Sequence, residues 1–182
     1  MAQDRVHTNG FLEAALWYIS KGLPVFPLVA RGKEPATSHG FKDASTNEKQ
    51  IRAWWRRWAN ANLGMPTGAV SGLVVVDIDP RNGGEESLFR LEQEHGRLPD
   101  TARAVTGGGG QHRVYRHPGE ICREAKLAPG VDFKGDGGYI VVAPSIHPSG
   151  NPYFWDGGNA REELLDCTPL PLWIRAMLPG AS

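Results

Sequence analysis

Two carboxylates close the most apolar run in the chain, Leu73-Val-Val-Val-Asp77-Ile-Asp79. Side chains alternate faces along a strand, so Asp77 and Asp79 project from one side while Ile78 points to the other. Two anions this close repel, and burial alone would raise each pKa. A divalent cation between them removes the conflict, and hard oxygen ligands select Mg²⁺ or Mn²⁺. The same residues also read as a strand that ends in a polar turn opened by Asp79-Pro80. A second segment, Thr106-Gly-Gly-Gly-Gly110-Gln111-His112-Arg113, carries four consecutive glycines. Their unshielded N–H groups can approach phosphate oxygens. The strand that follows turns His112, Val114 and Arg116 to one side and Arg113 to the other. His112 can donate to a phosphate or carry a proton; the plainer reading is a flexible glycine hairpin before an ordinary histidine.

A third segment is Gly130-Val-Asp132-Phe-Lys134-Gly-Asp136-Gly-Gly-Tyr139. Period two puts Asp132 and Lys134 on one face, where an acid beside a base can complete a metal site and pair with a triphosphate. The alternative is a hairpin with Asp136-Gly137 in a type I′ turn and Asp132 and Lys134 as an ion pair. Together, the three segments hold the parts of a phosphoryl-transfer site. In such sites carboxylates hold two cations about 4 Å apart, while glycine amides, His and Lys hold the phosphates.

These residues need short elements to position them. Phe11–Ser20 carries one apolar helical stripe, stopped by Gly22 and Pro24. Val25–Val29 reads as a strand. Ser45 and Glu48 form a capping box for a helix through Ile51, Trp54, Trp55 and Trp58. Strands are expected at 62–65, 73–79, 102–106, 111–116, 131–134, 138–143 and 153–155. Helices are expected at 85–95, with Gly96 past its end, and at 170–178. Helices and strands mix, with hairpin spacing after residue 100, so the expected fold class is α+β with a mostly antiparallel sheet.

The 182 residues suffice for one domain with a real core, and 40% hydrophobic residues exclude a disordered chain. No apolar run approaches the roughly 20 residues of a membrane helix, and the polar start is no secretory signal. Cys122 and Cys167 make neither a disulfide framework nor a Cys-rich zinc site. The expected compartment is the cytoplasm. Twenty basic residues balance twenty acidic ones, but residues 1–66 hold nine basic against five acidic, and 136–182 two against five. That asymmetry neither demands nor excludes a nucleic-acid partner.

In order and spacing these segments resemble the bifunctional primase–polymerase (prim-pol) domain of the archaeo-eukaryotic primase superfamily. The resemblance runs from about Phe11 to Trp155. It rests on Gly32-Lys33-Glu34-Pro35, Phe41-Lys-Asp-Ala-Ser-Thr46, Ile51 to Trp55, Met65-Pro-Thr-Gly68 leading to Ser71 through Asp79, Gly109-Gly-Gln-His112, and Val131 through Ser145. It implies an RRM-like catalytic sheet packed with an N-terminal α/β lobe, the active site in the cleft between. The resemblance places the lobe at about 1–70, the core at about 71–157 and a helical tail at 158–182. It implies DNA primase/polymerase activity from dNTPs or NTPs on a DNA template or primer, with two Mg²⁺ or Mn²⁺ ions. Asp77 and Asp79 match the first acidic motif, His112 the histidine that holds the triphosphate, and Asp132 the third acid. Lys33, Gly110, Gln111, Lys134 and Ser145 are expected around the nucleotide. Where the superfamily often has Ser two residues before the histidine, this chain has Gly110, whose N–H must substitute. Similar domains often precede a helicase. A zinc-binding insertion known in some relatives is not expected.

Trp54, Trp55 and Trp58 with Arg52, Arg56 and Arg57 could stack on and neutralise a template strand. Trp54 and Trp58 share the face of Ile51 and are expected in the core, which leaves Arg56 and Arg57 to contact DNA. Ser145 and His147 precede Pro148-Ser-Gly150 and could line the nucleotide pocket, though a turn is the simpler reading. His7, His39, His95 and His117 are expected on the surface. The rival functions are a metal-dependent phosphoesterase or nuclease on the same carboxylates, and a non-catalytic nucleic-acid or nucleotide-binding module.

Overall fold

Continuous apolarity from Leu73 to Val76 suits a strand covered on both faces, and there the chain places it. The computed structural model describes residues 10–157 and 161–180; His7 lies outside them. Its first half runs α1 (Gly10–Ser20), β1 (Phe26–Leu28), α2 (Glu48–Arg57), β2 (Asn62–Pro66), β3 (Leu73–Ile78) and α3 (Gly84–His95). Then come β4 (Ala102–Val105), β5 (Gln111–Arg116), β6 (Ala125–Ala128), β7 (Val131–Lys134), β8 (Tyr139–Val142), β9 (Phe154–Asp156) and α4 (Leu172–Met177). The six-stranded sheet has order β6-β7-β3-β5-β4-β9, the three-stranded sheet β1-β2-β8. Every named pair is antiparallel. The fold is therefore α+β. Its inner strands β7-β3-β5-β4, with α3 crossing from β3 to β4, have the split β-α-β order of an RRM-like sheet.

The back of the large sheet is apolar throughout. Val74, Val76, Ile78, Tyr115, Val131 and Phe133 pack against Leu88 and Leu91 of α3 and Ile174 of α4. The front is divided. Leu73, Val75, Ala102 and Val114 join α1, α2, β2 and β8 in a second core with Ala15, Tyr18, Ile51, Trp55 and Leu63. Beyond Val75 the front carries Asp77, His112 and Asp132, which face a cleft walled by Ile140 and Val141 of β8 and by Tyr153, whose ring lies 6.5 Å from that of His112. The lobe thus covers half of one face and leaves the other half as a cleft.

Several expectations change. The cap of α2 is Asn47, whose side chain accepts from Gln50 N–H, while Ser45 instead accepts from Asn47 N–H. Trp55, not Trp54 or Trp58, is the tryptophan buried from α2; its Nε1–H donates to Ala61 O at 3.0 Å. The other two are half-buried at the core margin. β6 was not expected: Ala and Lys have low strand propensity, and the segment is an edge strand held by β7. There is no hairpin at Asp136-Gly137, because β7 and β8 belong to different sheets. For the same reason residue 70 is no clean boundary, since β8 returns to the lobe. Nor is the C-terminus a tail: Leu170, Ile174 and Leu178 complete the back core.

The crossover from β7 to β8 is stapled by Asp136. Its Oδ1 accepts from Ala69 N–H and its Oδ2 from Cys122 N–H, both at 2.8 Å, with His117 Nε2 at 3.2 Å. His117 was expected on the surface, yet its side chain is only 8% exposed. Burial pushes the Asp136 carboxyl up, but the Ala69, Cys122 and His117 hydrogen bonds outweigh it and hold the pKa below the ordinary value.

Asp136→Asn should lower unfolding stability by about 2 kcal/mol, since the charged acceptor of the Ala69 and Cys122 N–H groups is lost. Because the folded pKa is depressed, this contribution is present above the unfolded value of about 3.9 and lost as pH falls through the folded value. Urea midpoints across pH 2–7 should show a shallower acid limb in the variant.

Candidate active site

Strand register builds the site. Asp77 of β3 is the direct partner of His112 on β5 and of Asp132 on β7. Three residues far apart in sequence so form one row across three strands, all lining the cleft on the front of the sheet. His112 Nε2 lies 3.7 Å from Asp77 Oδ1. Directly opposed like charges destabilise a strand pair, so the Asp77–Asp132 pairing costs stability unless a cation compensates it. The donors are hard oxygens, which suits Mg²⁺ or Mn²⁺. Asp79, just past β3 and still extended, caps the turn Pro80–Asn82 and accepts from Arg81 N–H. Asp132 meets Lys126 Nζ at 3.5 Å, and Lys134 meets Glu124 at 3.4 Å, so the two pair with β6 and its approach and not with each other as in the alternative hairpin reading.

A cleft of about 810 Å³ gathers these groups. Asp77, Asp79, Asp132, His112, Lys33, Lys134 and Gly110 all line it. Gln111, Ser145, Arg56 and Arg57 do not. Gln111 lies out of phase with His112 and faces the back of the sheet. Ser145 is fully buried, where its Oγ accepts from Leu63 N–H at 2.8 Å; it positions the wall instead of touching the cleft. Arg56 and Arg57 are exposed on α2, with Arg57 stacked 4.7 Å from the Trp58 ring.

The glycine loop offers fewer free donors than four. Gly109 N–H donates to Thr106 O and Gly110 N–H to Thr106 Oγ1, both at 2.9 Å. The expected use of the Gly110 N–H in place of a serine hydroxyl is therefore corrected: Thr106 already takes it. Gly107 and Gly108 have no acceptor for their N–H groups among the described residues. Gly107 is needed for contact: a β-carbon there would lie 2.2 Å from His147 Cβ and 2.6 Å from Asn151 O.

Arg81, His147 and Tyr153 also line the cleft, and the sequence reading had not placed them there. The spacing Asp79-Pro-Arg81 was the available signal for the first. His147 had been read as part of a turn. Its Nδ1 lies 2.8 Å from Ser149 Oγ and 3.1 Å from Ser149 N, which fixes the ring against the loop. Asn62, fully buried, fixes both lysine and histidine walls: its amide donates to Gly32 O at 3.0 Å and Ile146 O at 2.7 Å, and accepts from Ile146 N–H at 2.9 Å. Burial pushes the Tyr153 hydroxyl up to about 12, with Asp77 adding and Arg81 opposing. Burial lowers the His112 pKa, against the pull of Asp77 and with the push of Lys33 and Lys134. His112 is thus a neutral hydrogen-bonding ring at pH 7, and its Nδ1 is buried without a partner in the protein.

His117, Cys122 and Asp136 bring possible metal-ligand atoms within 4.8 Å of one another. His117 Nδ1 accepts from Gly119 N–H, so Nε2 carries the proton that points at Asp136. A ligating histidine has the reverse arrangement and donates through its other nitrogen. The cluster is bonded as a staple.

The sequence model of the family described as "Bifunctional DNA primase/polymerase, N-terminal" (Prim-Pol) matches residues 15–173. The match spans the lobe, the large sheet and the start of α4. No curated protein matches the chain. No helix among the described residues is long and apolar enough to cross a membrane.

Lys134→Gln should raise the His112 pKa, because a repelling cation is removed. The folded pKa lies below the unfolded value of about 6.5, so His112 contributes stability above that value and loses it as pH falls. The pH 7 to pH 5 loss of stability should shrink in Lys134→Gln, and ¹⁵N shifts of the His112 ring should report the raised pKa.

Proposed function

The chain belongs to the Prim-Pol family of bifunctional DNA primase/polymerase N-terminal domains, and on that premise we propose that its cleft carries out template-directed nucleotidyl transfer from nucleoside triphosphates. The observation that carries this reading is the row His112–Asp77–Asp132, set by direct cross-strand pairing, with Asp79 beside it. A 3′-hydroxyl oxygen attacks the α-phosphorus, its bond forms as the bond to pyrophosphate breaks, and the hydroxyl proton passes to solvent. Asp77, Asp79 and Asp132 would hold Mg²⁺ or Mn²⁺, which when bound lowers the pKa of the attacking hydroxyl and offsets charge on the leaving pyrophosphate.

The protein's own groups do the rest. Lys33 and Lys134 line the same cleft from the lobe and from β7 and neutralise phosphate charge. His112, neutral and held by the sheet, donates to a phosphate oxygen and takes no proton from the nucleophile. No side chain is assigned as general base. The half-bare sheet face gives primer and template an open approach, and Arg56 and Arg57 on α2 would contact the strand's phosphates outside the cleft. A hydrolase on the same acids would need a water-activating group and would leave Lys33 and Lys134 without a task.

Incubation with template, labelled nucleotides and Mn²⁺ should give longer strands; shortened strands would identify a nuclease, and a mobility shift alone a binding module. Asp132→Asn should cut incorporation at least about a hundredfold while its melting temperature stays level or rises. The rise is expected because one of two opposed carboxylates becomes neutral, and the pair lost to Lys126 is exposed and weak. Wild-type incorporation by Asp77→Asn or Asp132→Asn would refute the assignment.

A further inference from the structure

Asp79 is the one acid of the cleft whose two oxygens are both engaged by the protein. Oδ1 accepts from Arg81 N–H at 3.0 Å and from Arg81 Nε–H at 3.2 Å. Oδ2 accepts from Arg81 Nη2 at 3.4 Å and from Asn82 Nδ2 at 2.8 Å. Asp77 and Asp132 are freer, with His112 Nε2 at 3.7 Å and Lys126 Nζ at 3.5 Å as their side-chain partners. The Arg81 guanidinium also reaches the glycine loop: a β-carbon on Gly108 would lie 3.1 Å from its Nη2 and 3.2 Å from its Cζ. It therefore lies between a cation ligand and the backbone of the glycine loop at Gly108. It is not locked there, because the Arg81 side chain is 59% exposed, and exposed ion pairs are weak.

We infer that Arg81 is an exchangeable counter-ion: it holds the Asp79 carboxylate aimed in the cleft, releases it for cation ligation, and carries its guanidinium to the triphosphate lying against Gly108. This inference rests on the nucleotidyl-transfer reading of the same cleft. The exchange costs little order. The Arg81 backbone N–H and the Asn82 amide still hold Asp79 after the side chain leaves. The guanidinium moves from one oxyanion to another of higher charge, where its planar fork can bond two oxygens. Arg81 then links two binding events. A triphosphate draws the guanidinium off Asp79 and so favours the cation; a cation frees the guanidinium and so favours the triphosphate. Linkage makes the two effects equal.

The test measures Mn²⁺ binding by electron paramagnetic resonance with and without a non-hydrolysable nucleoside triphosphate, on the folded protein. Arg81→Gln should bind Mn²⁺ at least about fivefold more tightly without nucleotide, bind the triphosphate more weakly, and lose most of the coupling. A purely structural role would weaken both. Arg81→Lys keeps the charge but not the fork, so it should move in the same directions by smaller factors; identity with wild type would reduce the effect to charge alone and overturn the exchange. Unchanged or weaker Mn²⁺ binding in Arg81→Gln would also overturn it. Asp79→Asn separates the two levels: loss of Mn²⁺ affinity there keeps the cation reading whatever Arg81 does. Mn²⁺ binding indifferent to Asp77→Asn, Asp79→Asn and Asp132→Asn would overturn the nucleotidyl-transfer reading and this inference with it.

Discussion

Backbone pairing of β3 with its two neighbours is what every other feature of the cleft relies on. The ladder aligns Asp77 with His112 on one side and Asp132 on the other. Strand side chains alternate, so a slip of one residue on either neighbour would send its functional group to the apolar back. That slip is blocked by packing: Val76, Ile78, Tyr115, Val131 and Phe133 must all stay among α3 and α4. The back core thereby sets the geometry of the front. Charge that would be costly in the middle of a core is tolerated at Asp77 and Asp132 because the lobe stops short of them.

The lobe has a second task, which is to bring in groups the large sheet does not own. Lys33 and His147 come from segments on the lobe side, and both are tied to Asn62, whose buried amide is satisfied on every side used. Ser145 against Leu63 and Thr67 against Gly135 extend the same logic. Leaving one of these buried groups unpaired costs more than its bond contributes, so polar staples of this kind hold loops in one place where apolar contacts alone would let them slide. The cleft is supported by hydrogen bonds at its rim, and Arg81 is among its exposed charges.

What could be read along the chain was local. The 73–79 run, the glycines before His112 and the Val131–Lys134 segment showed strands with charged residues in phase, because period two is written in the order of residues. The helices 10–20 and 84–95 were legible from their stripes and terminating glycines. Misreadings came where a local rule met a tertiary competitor. Ser45 looked like a cap, but its backbone pairs with Val25 and Asn47 takes the capping role. Asp136-Gly137 looked like a hairpin turn, but its strands leave for different sheets. Gly110 seemed to offer its N–H, which Thr106 takes from four residues away. β6 was invisible because an edge strand of Ala and Lys needs no apolar alternation to be held by a neighbour.

The residues by themselves determined the chemistry available: hard carboxylates two apart on a strand, a glycine-flanked histidine, and a further acid and lysine in phase. They also determined the family, through the order of those segments. Only the tertiary structure decided which of them meet. Convergence of positions 77, 112 and 132 is a property of strand order and register, which depend on long-range packing and leave no signal at any one position. The same holds for Ser145 and Gln111, which suit a nucleotide by type but are turned away by burial. It holds too for Arg81 and His147, ordinary turn residues until folding brings a carboxylate and a glycine loop within their reach.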